Sequence, residues 1–253
     1  MKTAIRYLRA MDTGLAKAQL FECDDGNLYV VKFMNNPQGI RGLPNELICY
    51  RLAEMLDLPV PKGHIIYIPQ MIIDLHPPLQ DLKVQPGLHF GSQFIHPTQA
   101  ATEEAIASCV NLDKAPGMLV FDNWVHNFDR NKKNVIVTIG NKPKFYMIDH
   151  QCCLGGGWWT IKKLLRNCDY VKPIWCSMHP RFVPYIDHKG LQDAIDTLQS
   201  LSRKRIREAV VDIPKEWGVT QDELDVLVYY LDKRKWHVVA AIEQLEPLFP
   251  KSD

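Results

Sequence analysis

Three residues with oxygen donors cluster in the middle of the chain: Asp129, Asn134 five positions later, and Asp149. Two apolar arms, 135–139 and 144–148, lie between the last two, joined by the turn sequence Gly140-Asn141-Lys142-Pro143. Symmetric pairing sets Ile139 opposite Lys144 and Val135 opposite Ile148, and the next step sets Asn134 opposite Asp149. An amide oxygen and a carboxylate then share the open end of a hairpin, with Asp129 in the polar loop just before it. Carboxylates this close repel until one takes up a proton or a cation lies between them. Oxygen-only donors suit Mg²⁺, above all where phosphate supplies further oxygens.

The order Asp-x₄-Asn, short hairpin, Asp is the arrangement that kinase-like phosphotransferases use. It assigns Asp129 to the acceptor hydroxyl as the catalytic residue, and Asn134 and Asp149 to the metal. The chemistry also needs a cation on the nucleotide phosphates, and Lys32 stands in the right order for it. Arms 18–23 and 28–33 flank the turn Asp24-Asp25-Gly26-Asn27, so Leu28, Val30 and Lys32 share one strand face and Tyr29, Val31 and Phe33 the other. A helix follows, with Asn45 as expected cap, Glu46 in its first turn and an apolar stripe through Leu47, Ile48, Leu52, Met55 and Leu56. Glu46 is expected to hold Lys32. Phe94 and Ile95 fall in 92–97, where a hinge would meet adenine through its backbone. Arg130 either contacts phosphate or ties the loop carboxylates together.

The segment from Asn123 to Asn134, which includes His126-Asn127-Phe128-Asp129-Arg130-Asn131, and the run Phe145-Tyr146-Met147-Ile148-Asp149-His150 resemble the HipA-like kinase domain. The arrangement is more distantly similar to phosphoinositide kinases. Asn45-Glu46-Leu47, Leu58-Pro59-Val60-Pro61 and Ile213-Pro214-Lys215-Glu216-Trp217 add weaker matches, so the resemblance runs from about residue 10 to about residue 245. It does not include the extra N-terminal subdomain of HipA proper. It implies an α+β, two-lobed, protein-kinase-like fold that binds ATP and Mg²⁺ and phosphorylates a Ser or Thr hydroxyl of a protein. It also implies a phosphate-covering loop near residues 11–16, where Gly14 is the one glycine and Thr13 replaces the serine that HipA autophosphorylates. Asn131 stands where relatives often have His, and His150 where many kinases have Phe.

The remaining elements place these residues. Strands are expected at 64–69, 71–75 and 89–95, completing a β-rich lobe over residues 1–97. Helices are expected at 102–111, 115–127, 190–209, 220–231 and 234–247, giving a helical lobe over 98–253. Gly155-Gly156-Gly157 before Trp158-Trp159 reads as a mobile substrate loop. Asp122 and His126, one helical turn apart, read as packing or capping residues.

Composition sets the limits. With 253 residues, 46% of them hydrophobic, the chain can bury a core without staples. A net charge of +1 supplies no global field toward nucleic acid or acidic membrane. The basic run through Arg203, Lys204, Arg205 and Arg207 leaves a local nucleic-acid contact open, though a solvated helix face is the plainer reading. The 7 cysteines show no repeating spacing and no zinc pattern, so reduced thiols in a cytoplasmic protein are expected. Nothing approaches a membrane span, and residues 1–10 lack the long apolar core of a secretory signal. Two rival functions remain: a lipid or small-molecule kinase, for which Lys162, Lys163 and Arg166 would form a basic lip, and a nucleotide-binding pseudokinase that serves as an interaction module.

Overall fold

The computed structural model describes residues 1–11, 16–35 and 37–250. Gly14 and Thr13 lie outside the described residues. The architecture is α+β, with a sheet-rich N-terminal part and a mainly helical C-terminal part.

The N-terminal part is a closed five-stranded barrel. It comprises β1 (Lys2–Ala10), β2 (Gln19–Cys23), β3 (Leu28–Lys32), β4 (Gly63–Ile68) and β5 (Gly87–Gln93), in the order β1-β2-β3-β5-β4. The ladders are antiparallel except where β1 meets β4 and closes the ring. Alternation on β3 is as the sequence requires: Tyr29 and Val31 enter the barrel core, while Val30 and Lys32 face a cleft. β1 gives little sequence signal, because Lys2, Arg6 and Arg9 interrupt its apolar residues and register shifts break its pairing with β2.

Helix α1 (Gly42–Met55) crosses between the two parts. Leu43 and Leu47 pack on Phe90 and Trp217, while Ile48, Cys49 and Leu52 join the core of the helical part. A helix buried on both sides needs apolar residues all round, which is why its stripe is broad. It starts earlier than the sequence suggests. Arg41 is its N-cap residue, and Asn45 lies inside the helix with its side chain turned elsewhere.

Two short helices, α2 (Gln70–Asp74) and α3 (Pro77–Asp81), follow β4. The strand expected at 71–75 is therefore helical. Ile72 and Ile73 are both buried and both join the barrel core, as successive residues on one side of a helix can.

The C-terminal part opens with β6 (Thr98–Ala100), which no sequence signal marked. It pairs with β7 (Val135–Thr138), and β7 pairs with β8 (Phe145–Met147). Around this small sheet stand α4 (Glu103–Ala107), α5 (Ala115–Trp124), α6 (Ile161–Asn167), α7 (His188–Ser200), α8 (Arg203–Val210) and α9 (Gln221–Glu243).

Two helix expectations change. The single helix at 190–209 is two, because Leu201 is extended and the Ser202 hydroxyl accepts from Arg205 N to cap a new start. The pair at 220–231 and 234–247 is one helix, opened by a Thr220/Glu223 capping box. Arg234 and Lys235 resemble a polar break but are buried in mid-helix. Arg234 donates to the carbonyls of Asn123, Trp124, Asn167 and Tyr170, and Lys235 to that of Leu201.

Among the described residues, no helix is long and apolar enough to cross a membrane. The seven cysteines carry free thiols.

Candidate functional site

The hairpin β7–β8 sets the site, in a register one residue away from the symmetric one. Val135 pairs with Met147 and Val137 with Phe145. Thr138 closes the turn, its N–H donating to Lys144 O (2.9 Å) and its Oγ1 accepting from Lys144 N (2.8 Å), so the connection holds five residues. Asn134 therefore faces Ile148, whose N–H donates to Asn134 O (3.0 Å), and does not face Asp149. Asp149 steps out of the ladder with φ 61°, a left-handed conformation more tolerable for Asp than for most side chains. That step swings its carboxylate toward the barrel, where Oδ1 lies 2.9 Å from Lys32 Nζ.

Lys32 stands between two carboxylates, Asp149 and Glu46. Glu46 pairs with Lys32 through Oε1 and accepts the His150 N–H through Oε2 (3.1 Å). One helix residue thereby grips both the lysine and the chain just beyond Asp149. Burial opposes charge on Lys32, but the two carboxylates outweigh it and hold its pKa above the lysine range. Burial works against Asp149 as well, and Lys32 more than offsets it, keeping this carboxyl below its usual range. Glu46 moves the other way. Its deeper burial, with Asp149 nearby, pushes the carboxyl up even though Lys32 pulls it down.

Asp129 is held by three asparagines. Asn131 Nδ2 donates to Oδ1 (2.8 Å), Asn134 Nδ2 donates to Oδ2 (3.1 Å), and Asn127 Oδ1 accepts the Asp129 N–H (3.0 Å). Behind it lies a cluster the sequence did not announce. Asp122, Arg130 and His179 all have side-chain exposures of 0%. Asp122 accepts from Arg130 Nε and Nη2 (both 2.9 Å), contacts His179 Nε2 (3.0 Å) and accepts from Asn127 Nδ2 (2.8 Å). Arg130 also donates through Nη1 to Asn134 O (2.8 Å) and Ile148 O (3.0 Å), and through Nη2 to His150 Nε2 (3.2 Å). All five guanidinium N–H groups are thus engaged. Of the two roles open to Arg130, the structure gives it the second, as a tie between loops. Burial disfavours the Asp122 carboxylate, but Arg130 and His179 reverse this and hold its carboxyl far below the usual range. His150, buried beside Arg130, is pushed down to about 3 and stays neutral, free to accept that N–H.

Lys32, Glu46, Asp129, Asn134 and Asp149 all line one cleft of about 470 Å³, together with Phe94 and Ile95. Phe94 N donates to Leu28 O (2.8 Å), whereas the Ile95 N–H and C=O bond to no described residue. The oxygens Asn134 Oδ1 and Asp149 Oδ2 are likewise unengaged among the described residues, a hard donor pair suited to Mg²⁺. Gly14 was expected to cover the phosphates, and it lies outside the described residues.

Other expected features end up elsewhere. The three glycines at 155–157 sit in a tied segment. Asn45 Nδ2 donates to the carbonyls of Gln151, Cys153 and Gly156, Asn45 Oδ1 accepts from Trp159 Nε1 (2.7 Å), and Arg41 N donates to Gly157 O (3.0 Å). A Cβ at Gly39 would collide with the Gly157 carbonyl, so glycine there permits a close approach of two segments of the chain. The expected mobile loop is in this way pinned by α1. Lys162, Lys163 and Arg166 lie on α6, and none of them lines the cleft. In the basic run, Arg205 pairs with Glu208 and Arg207 with Asp225, which balances two of its charges. His179 bonds to Asp122, and the Cys176 thiol donates to Asn127 O.

A protein-family model described as HipA-like kinase matches residues 4–236. Among solved structures, the chain is similar to the Helicobacter pylori proinflammatory kinase CtkA, with a TM-score of 0.64 and 13% identity over 96% of both chains. It is also similar to the Golgi casein kinase, with a TM-score of 0.50 and 12% identity over 96% of this chain and 73% of that one. At such identities the likeness is one of fold. No curated protein matches in sequence.

Proposed function

The chain belongs to the HipA-like kinase family, and from that premise we propose that it transfers the γ-phosphoryl group of ATP, with Mg²⁺, to a Ser or Thr hydroxyl of a protein. The observation that carries this reading is the meeting of Lys32 and Glu46 from one part with Asp129, Asn134 and Asp149 from the other, in one cleft. In this reading residues 1–97 and 98–253 act as two lobes, divided where the barrel ends and β6 joins the second sheet.

The nucleotide enters with its adenine edge against the Ile95 backbone groups that bond to no described residue, with the Phe94 ring beside it. Lys32 already bridges Asp149 and Glu46, so a phosphate oxygen can take a place beside its ammonium without new rearrangement of α1. Asn134 Oδ1 and Asp149 Oδ2 would hold Mg²⁺, which when bound neutralises charge on the phosphates. Asp129 orients the acceptor hydroxyl and takes its proton. Its two oxygens are fixed by Asn131 and Asn134, so the geometry is set before the substrate arrives.

Incubation of the purified chain with γ-labelled ATP, Mg²⁺ and cell lysate tests the reading. Label in a protein band, stable to hydroxylamine and lost with Asp129→Ala, is expected. Calorimetry showing no Mg²⁺-dependent ATP binding would end it.

A further inference from the structure

A second cavity of about 480 Å³ adjoins the loop that carries Asp129. Asp129 and Asn131 line both it and the nucleotide cleft. Its remaining walls come from Phe128 and from the segment that includes Pro173, Trp175 and Ser177. A group seated there can approach Asp129 without entering the nucleotide cleft, as a phosphoryl acceptor has to.

The charge of these walls selects the acceptor. Their only ionised side chains are Asp129 and Arg130. Arg130 is fully buried, and every N–H it has is already bonded to Asp122, His150, Asn134 O or Ile148 O. Among the described residues that line it, no free cation remains to receive a phosphorylated headgroup, for which Arg or Lys are the strong donors. The walls offer aromatic surface instead. Phe128 is 54% exposed, although its ring is held against His126 with centroids 4.2 Å apart, and His126 in turn lies 4.7 Å from Tyr170. Opposite, Trp175 is steadied by His179 at 5.5 Å and Phe249 at 6.4 Å. Neither ring nitrogen of His126 has a hydrogen-bond partner among the described residues, so it serves as a plate beneath Phe128. Phe128 and Trp175 thus put two large rings, each braced from behind, on the walls of one cavity beside Asp129.

We propose that this cavity is the acceptor site and that it takes a peptide segment with a bulky apolar side chain next to the reacting Ser or Thr, lodged between Phe128 and Trp175. The proposal rests on the kinase reading and specifies its substrate. In the transfer, the acceptor oxygen bonds to the γ-phosphorus while the bond from that phosphorus to the β,γ-bridging oxygen breaks. The hydroxyl proton passes to Asp129, and ADP leaves.

The test uses the full chain, γ-labelled ATP, Mg²⁺ and an array of Ser/Thr peptides varied one position at a time, beside vesicles of phosphatidylcholine and phosphatidylinositol. Labelled peptides enriched in Phe, Trp, Leu or Met at one fixed offset from the hydroxyl are the expected result. Phe128→Ala, at an exposed position that spares the core, should raise the KM for the best peptide about tenfold and leave the KM for ATP in place. Trp175→Phe should keep the preference, and Trp175→Ala should lose it. Labelling that ignores the neighbouring side chain, or variants that shift no peptide KM, would overturn the assignment while leaving the proposed function in force; label confined to the vesicles, or ATP hydrolysis with no labelled peptide, would overturn the protein acceptor as well and leave only nucleotide use. Absence of Mg²⁺-dependent nucleotide binding would remove both.

Discussion

Lys32 and Arg130 are both cations paired with carboxylates in the same site, but they sit in different surroundings. Lys32 is bound by Glu46 and Asp149 at the wall of an open cleft, and 23% of the Asp149 side chain remains exposed. Arg130 and Asp122 are wholly enclosed, with backbone carbonyls and His150 completing the shell of the guanidinium. Water and ligand can exchange with the first cluster and cannot reach the second. An ion pair at a cleft can be lent to phosphate, whereas an enclosed pair can only hold the chain in place. Its cost of desolvation is offset only while every partner stays.

Asp129 stands between the clusters, and the proposed function gives it the chemistry and its neighbours the support. Asp129→Ala should lower turnover by about 10²–10⁴-fold, measured by phosphate transfer at saturating ATP. Its thermal midpoint should hardly move, because Asn134 keeps its bond to the Asp129 carbonyl and the part-exposed Asn131 can turn to water. Activity near wild type would show that the acid is not the group that meets the acceptor.

The enclosed cluster should answer in stability. Asp122→Ala leaves Arg130 buried without its charge partner and should cost about 3–5 kcal/mol, read from urea unfolding. A loss below about 1 kcal/mol would mean that water reaches Arg130 and that the difference between the clusters is false. Lys32→Met makes the reciprocal case. Glu46 and Asp149 can then share a proton, so stability should fall by only about 1–3 kcal/mol, while ATP affinity falls about tenfold by calorimetry. An Asp122→Ala variant more stable than Lys32→Met would reverse the ranking.

The two clusters also differed in how far the sequence revealed them. Lys32, Glu46, Asp129, Asn134 and Asp149 were legible because each sits at a fixed spacing on a strand, a helix turn or a hairpin, and period-2 alternation alone put Lys32 on the cleft side of β3. Asp122 and His179 are 57 residues apart, and nothing local marks either as buried. The one available clue was the repeated asparagine at 127, 131 and 134 around Asp129, which signals a loop held by side-chain amides. The hairpin register failed by one residue because the sequence cannot say whether Ile139 belongs to the strand or to the turn. Thr138, bonding Lys144 through both backbone and hydroxyl, decides it. β1 and β6 escaped because their stability comes from closing a barrel and edging a sheet, which no short window contains. Arg234 and Lys235 misled for the opposite reason: charged residues in a helix imply solvent until their carbonyl partners are known.

The smallest effect is a pH dependence that separates histidines from carboxylates. His150, beside the enclosed cluster, and His126, beneath Phe128, are each pushed down to about 3 by burial and then by a nearby guanidinium, from Arg130 and Arg234 respectively. Unfolded, each titrates at about 6.5. Between those values the unfolded chain binds protons that the folded chain refuses, so stability rises with pH and is lost as pH falls through this window. Each histidine contributes a slope of at most about 1.4 kcal/mol per pH unit. The lowered carboxyls Asp122 and Asp149 act in the same direction but later, since their contribution persists until pH drops below the unfolded carboxylate value of about 3.9. Acid unfolding should therefore begin near pH 6, ahead of any carboxylate. His126→Phe keeps a ring against Phe128 and Tyr170 and removes one titrating group, so it should flatten the slope of ΔG between pH 6.5 and 4.5 by up to half. Urea unfolding at a series of pH values reads this directly. An unchanged slope would place His126 in contact with water, and the plate beneath Phe128 would no longer be dry.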